Sequence, residues 1–273
     1  MKFKFKDTSL NVETGKNNPG AKGYIFFIHG FTGSAKDWDE IIPIINKDFS
    51  CAAIDVIGHG SSGSPDNLSY YKIASIIEQI NFIISRFTDE QVILAGYSMG
   101  GRIALNFAIT NPDKVRALIL ESSSAGIEEV NLRHARIASD EKLIDLIEEN
   151  PIDKFVDYWM NIDLFASQRN LPSDTLKKIR EIKLKNNKTG LVNSLRGFGA
   201  GAMKPLHNEL KNFRQKTLLI TGELDKKYCM LNSEMIKLFP SAKHFIIKNA
   251  GHNAHLEQPS KYADLINTFL SEF

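Results

Sequence analysis

Short apolar or β-branched runs recur at residues 24–28, 51–55, 92–95, 117–120, 218–221 and 244–247, and amphipathic stretches of helical period lie between most of them. That alternation predicts an α/β fold, a mostly parallel sheet with helices on both faces. Residues 2–13 read as a short meander that adds one or two antiparallel strands at the sheet edge. Between 122 and 204 no strand-like run occurs and the periodicity is helical throughout. A helical insertion there, after the fourth parallel strand, lies over the carboxyl ends of the strands, where open α/β sheets bind ligands. It reads as a lid of residues 122–204 on a core of residues 1–121 and 205–273. The strand pattern resumes at Thr217, so both parts share one core.

The pentapeptide Gly96-Tyr97-Ser98-Met99-Gly100 joins the strand at 92–95 to a helical pattern that begins near Arg102. A GxSxG between strand and helix is the context of a nucleophile elbow, whose turn holds the serine in a strained conformation with its hydroxyl exposed. A serine hydroxyl is a poor nucleophile at neutral pH and needs an imidazole to take its proton. His252, in Asn249-Ala250-Gly251-His252-Asn253 just past the strand at 244–247, is placed to do this. Asp225, in the loop after 218–221, is placed to orient the ring and stabilise its charged form. The order Ser98, Asp225, His252, each in a loop after a strand, is the order of α/β-hydrolases. His29-Gly30-Phe31-Thr32-Gly33 follows the first parallel strand and predicts an oxyanion site built from the amides of Phe31 and Met99. His59, in the turn Gly58-His59-Gly60, and His255 read as structural histidines.

Composition narrows the partners. At 273 residues, 42% hydrophobic and 24% charged, the chain has the make-up of a soluble globular protein. A net charge of +2 gives no whole-molecule reason to expect nucleic acid or an anionic membrane. The amino terminus alternates charged and aromatic residues without an apolar core, so no signal peptide is expected, and no stretch is apolar enough to span a bilayer. Two cysteines argue against a disulfide framework, which makes the cytoplasm the expected compartment. Neither metal-ligand spacing nor a nucleotide-binding glycine motif occurs, so no metal and no cofactor are expected.

Four segments carry a resemblance: the elbow Gly-Tyr-Ser-Met-Gly-Gly-Arg ending at Arg102, Leu120-Glu121-Ser122-Ser123-Ser124-Ala125-Gly126-Ile127, Ser194-Leu195-Arg196-Gly197-Phe198-Gly199-Ala200-Gly201, and Gly251-His252-Asn253-Ala254-His255. Over nearly the whole chain the sequence resembles the α/β-hydrolase-fold lyases of menaquinone biosynthesis that form 2-succinyl-6-hydroxy-2,4-cyclohexadiene-1-carboxylate. The resemblance implies that serine, histidine and aspartate abstract a proton and expel pyruvate from an enolpyruvyl precursor. It also implies a small polycarboxylate substrate, and such a substrate calls for fixed cations. Arg102 lies one turn into the elbow helix, Arg136 falls on a substrate-carboxylate arginine of the family, and Lys183 stands where the family usually has arginine. Lysine keeps the charge but loses the planar fork. Trp159 matches the family's lid tryptophan, and Tyr97 adjoins the nucleophile; both are expected at the substrate. The same triad also suits a carboxylesterase or a carbon–carbon bond hydrolase, because the fold hosts many chemistries. A non-catalytic ligand receptor is the remaining alternative, against which an intact triad argues.

Overall fold

The computed structural model describes residues 1–15, 18, 20–45 and 47–273. Among them β1 (Lys2–Phe5), β2 (Thr8–Thr14), β3 (Tyr24–Ile28), β4 (Ser50–Ile54), β5 (Val92–Tyr97), β6 (Val115–Glu121), β7 (Lys216–Gly222) and β8 (Ala242–Ile247) form a single eight-stranded sheet. Its order is β1-β2-β4-β3-β5-β6-β7-β8. β1–β2 and β2–β4 pair antiparallel at one edge, and the pairs from β4–β3 to β7–β8 are parallel. β3 to β7 are buried almost throughout, which is why their sequences run apolar without alternating. The six expected parallel strands and the edge meander are all present. β5 extends two residues past the apolar run, to Tyr97, and β6 starts two residues earlier, at Val115.

Helices cover both faces. α1 (Ile73–Ile84) and α2 (Met99–Thr110) pack on one side against Phe26, Ile28, Leu94 and Leu118. On the other side Trp38 and the last helix cover Phe27, Ile93, Ile119 and Ile220. Between β6 and β7 the chain is helical: α3 (Val130–Glu149), α4 (Ile152–Met160), the 3-10 segment Asp163–Asn170, α5 (Ser173–Leu184), α6 (Lys188–Phe198) and the short α7 (His207–Leu210). This segment has a small core of its own, with Ile144, Ile147, Phe155, Val156, Leu191, Val192 and Leu195 buried together. The remaining helices are α8 (Lys226–Met235), α9 (Ala254–Glu257) and α10 (Pro259–Leu270). Among the described residues no helix is long and apolar enough to cross a membrane.

The topology decides where a site forms. From β3 the chain moves to β4 on one side, then crosses back to β5 on the other, so the loops leaving β3 and β5 diverge from adjacent strands. Such a switch point opens a crevice at the carboxyl ends. The helical segment reaches this crevice: Asn186 Nδ2 donates to the Thr32 carbonyl at 2.7 Å, and Lys183 Nζ donates to Thr32 Oγ1 at 3.0 Å. Backbone strain collects there too. Of the five non-glycine residues with positive φ among those described, Thr32, Ser98, Ser122 and Asn249 follow carboxyl ends of parallel strands, and Lys6 lies in the β1–β2 turn. Each left-handed non-glycine residue costs about 1–3 kcal/mol, a cost that persists where surrounding structure enforces it.

Candidate active site

Ser98 occupies the single residue between β5 and α2 with φ 50° and ψ −107°. The turn is enforced by close packing on both sides. Gly100 lies against β3 so closely that a Cβ would stand 2.1 Å from the Ile28 carbonyl oxygen. The Ser98 N–H donates to the Glu121 carbonyl at 2.8 Å, which ties the elbow to β6. Ser98 itself is only partly covered, and its hydroxyl lies 3.0 Å from His252 Nε2.

His252 is buried, and its Nδ1 lies 2.6 Å from Asp225 Oδ2. That bond makes Nδ1 the protonated nitrogen and leaves Nε2 to accept the serine proton. Asp225 is held by the helix it starts, accepting the Tyr228 N–H at 3.3 Å. The loop carrying His252 runs close to the helical segment: a Cβ on Gly251 would stand 2.0 Å from Ser167 Oγ. The three residues chosen from sequence are thus hydrogen-bonded in series, Ser98 to His252 to Asp225.

Phe31 and Met99 line the same cavity as Ser98. Met99 is the first residue of α2, so its amide is one of the helix N-terminal N–H groups with no intrahelical acceptor, and the helix dipole adds to its attraction for negative charge. Tyr97, Arg102, Arg136 and Trp159 line this cavity as well. Arg102 is buried, and among the described residues its one side-chain hydrogen bond runs from Nε to the Met203 thioether at 3.4 Å. Among the described residues no carboxylate lies within ion-pairing distance of it. Burial pushes its guanidinium down to about 10, and Arg136 adds to this, while Tyr228 and Asp140 act the other way; it stays charged at neutral pH. Arg136 is paired, with Nε 2.8 Å from Asp140 Oδ1 one helical turn on.

Trp159 stands in an aromatic cluster, stacked on Phe155 at 6.2 Å and edge-on to Phe31 at 5.2 Å and Phe165 at 5.7 Å. Its buried Nε1 has no hydrogen-bond partner among the described residues. Lys183 is placed differently from the other expected substrate residues. It lines an adjoining cavity, shared with Asp37 and separated from Ser98 by Phe31, Tyr97 and Phe165. Burial lowers its ammonium pKa, and Asp37 partly restores it.

Residues 23–259 match the family defined by the α/β-hydrolase fold. The chain belongs to the α/β-hydrolase family. It is 40% identical, over 93% of its length and 92% of the relative, to a Bacillus subtilis (strain 168) protein named "Putative 2-succinyl-6-hydroxy-2,4-cyclohexadiene-1-carboxylate synthase". An Enterobacter sp. (strain 638) protein named as that synthase is 27% identical over 93% of each chain. Among solved structures, MenH from S. aureus superposes with a TM-score of 0.91 at 30% identity, covering 96% of this chain and 98% of the other. With relatives named as synthases on this scaffold, the chain is an α/β-hydrolase-family enzyme.

Three features of this α/β-hydrolase escaped the sequence reading. Tyr228, on the first turn of α8, lines the Ser98 cavity with its ring 4.7 Å from that of His252. Burial raises its hydroxyl pKa, and Arg102 and Arg136 pull it back down. Its position three residues after Asp225 was the available signal. Asp140, the ion-pair partner of Arg136, escaped it too, and the i,i+4 spacing was the available signal. His255, read as structural, forms a buried pair with Glu121, Nδ1 to Oε2 at 2.7 Å. His59 packs near His29 and Phe31, at 5.1 and 5.8 Å between rings, and burial holds its imidazole well below the usual value. Among the described residues no three His, Cys, Asp or Glu side chains are grouped as metal ligands.

Proposed function

We propose that this enzyme eliminates pyruvate from 2-succinyl-5-enolpyruvyl-6-hydroxy-3-cyclohexene-1-carboxylate to give 2-succinyl-6-hydroxy-2,4-cyclohexadiene-1-carboxylate, a step of menaquinone biosynthesis. The observation that carries the reading is Arg102, a buried guanidinium with no direct ion pair among the described residues, in the same cavity as Ser98. A buried cation without a direct carboxylate contact is costly, Asp140 being bonded to Arg136, and a polycarboxylate supplies that contact. A simple ester has no use for it. The names borne by relatives point to the same product.

The substrate's C2–H is acidified by the succinyl ketone beside it and by the ring double bond. His252 Nε2 takes the Ser98 proton, and the serine oxygen removes the C2 proton. The electron pair forms C2=C3, the ring double bond moves to C4=C5, and the C5–O bond breaks. Enolpyruvate leaves and is protonated to pyruvate, and the proton taken from C2 is returned through His252 to solvent. No acyl-enzyme forms. The amides of Phe31 and Met99 stabilise negative charge on the succinyl carbonyl oxygen, and Asp225 stabilises the imidazolium. Arg102 and Arg136 hold carboxylates, Trp159 and Tyr97 wall the ring, and the Trp159 Nε1–H serves a substrate oxygen. The helical segment acts as the lid, with Lys183 adding positive charge beside the entrance.

The test is pyruvate release from the enolpyruvyl substrate by the wild-type chain and by Ser98→Ala and Arg102→Ala, with an aryl ester as control. Release that depends on both residues, with negligible ester cleavage, supports the lyase. Ser98-dependent ester cleavage without pyruvate release would replace it with the hydrolase alternative.

A further inference from the structure

We propose that Glu121 is a positioning residue for the Ser98–His252 pair, holding both from the end of β6. The inference rests on the roles proposed above for those two residues. Glu121 is fully buried and sits opposite Tyr97 in the β5–β6 register. Its carbonyl accepts the Ser98 N–H at 2.8 Å. Its carboxylate accepts the His255 backbone N–H at 3.0 Å through Oε1 and the His255 Nδ1–H at 2.7 Å through Oε2. One residue therefore grips the elbow with its backbone and the start of α9 with its side chain.

His252 depends on that second grip. It lies three residues before His255, on the loop between β8 and α9, and a helix of only four residues has little stability of its own with which to place a loop. The His255 ring is fixed in turn, stacked on Trp38 with centroids 4.2 Å apart and meeting Tyr97 edge-on at 5.1 Å. Tyr97 reaches the His252 ring at 5.4 Å. Contacts thus run from Glu121 to His252 along the backbone and, from His255, through the Tyr97 ring. A buried carboxylate is expensive to desolvate, and an apolar pair would fill the same space without that penalty. An apolar pair has no direction, whereas two hydrogen bonds to one carboxylate set both the position and the orientation of His255.

The test uses the purified full chain carrying Glu121→Gln, His255→Leu or His255→Asn. His255→Leu keeps bulk without a donor, and His255→Asn keeps a side-chain N–H near the Nδ1 position. Ser98 is titrated with a fluorophosphonate, which phosphonylates an activated serine, and pyruvate release is followed in parallel. Glu121→Gln and His255→Leu are expected to slow phosphonylation per reactive site and kcat together by about 10- to 100-fold with KM within about twofold, while His255→Asn stays within about threefold of wild type. Fewer reactive sites labelled at an unchanged rate would overturn the proposal, since that is the mark of a merely structural residue. Equal losses in His255→Asn and His255→Leu would overturn it too. A wild-type chain that the probe does not label, or labelling that survives Ser98→Ala, would instead overturn the roles of Ser98 and His252 themselves.

Discussion

His252 and His255 stand three residues apart, and each imidazole sets its Nδ1 against a buried carboxylate, at 2.6 Å from Asp225 and 2.7 Å from Glu121. The difference lies at the other nitrogen. His252 Nε2 meets the Ser98 hydroxyl at 3.0 Å, whereas His255 Nε2 is enclosed among aromatic rings with no partner among the described residues. The same two groups therefore make a base in one place and an anchor in the other. A similar contrast separates Arg102 from Arg136. Both line the Ser98 cavity, but Arg136 bonds Asp140 directly, while among the described residues the Arg102 side chain hydrogen-bonds only a thioether and feels Asp140 without an ion-pair contact. In both comparisons the group with the less satisfied bonding on the cavity side is given the larger share of the proposed chemistry.

The comparison breaks if the anchor proves as important to turnover as the base. His252→Ala is expected to lower kcat at least about 10³-fold, since triad members act as a unit, against the much smaller loss expected for His255→Asn; steady-state pyruvate release measures both. Arg102→Met is expected to lower kcat/KM about 100-fold by removing a charged hydrogen-bond donor. The same change should stabilise the fold by about 1 kcal/mol in denaturant titration, because it removes a buried charge that no carboxylate contacts directly. Loss of both activity and stability would mean that Arg102 is structural. Arg136→Ala should be milder, about tenfold in kcat/KM, since its existing ion pair is partly exposed and worth little. Lys183→Ala, in the adjoining cavity, should change kcat/KM less than about threefold at 0.15 M salt and somewhat more at low salt, where steering charges are less screened.

The sheet was legible because each buried strand is a bounded apolar run, and the Ser98–Asp225–His252 order was legible because each member follows such a run. Pairing partners were harder to see. Nothing in Leu120-Glu121-Ser122 distinguishes a carboxylate folded into the interior from one at a solvated strand end, since the difference depends on His255, 134 residues away. Lys183 was placed by likeness to a family arginine, and its cavity depends on how α5 sits over Thr32, a tertiary contact without local signature. The positive charge of Arg102 was readable, but its lack of a direct ion pair was not, because that depends on every carboxylate packed around α2.

Pyruvate and diene formation from the enolpyruvyl substrate, followed together in one reaction, tests the central claim most directly. Elimination by Ser98 and His252 predicts pyruvate and diene in equal amounts from the first turnover, abolished in Ser98→Ala, with no acyl adduct on the intact protein by mass spectrometry. Pyruvate no faster than the uncatalysed background, together with an acylated Ser98 from a simple ester, would contradict the account.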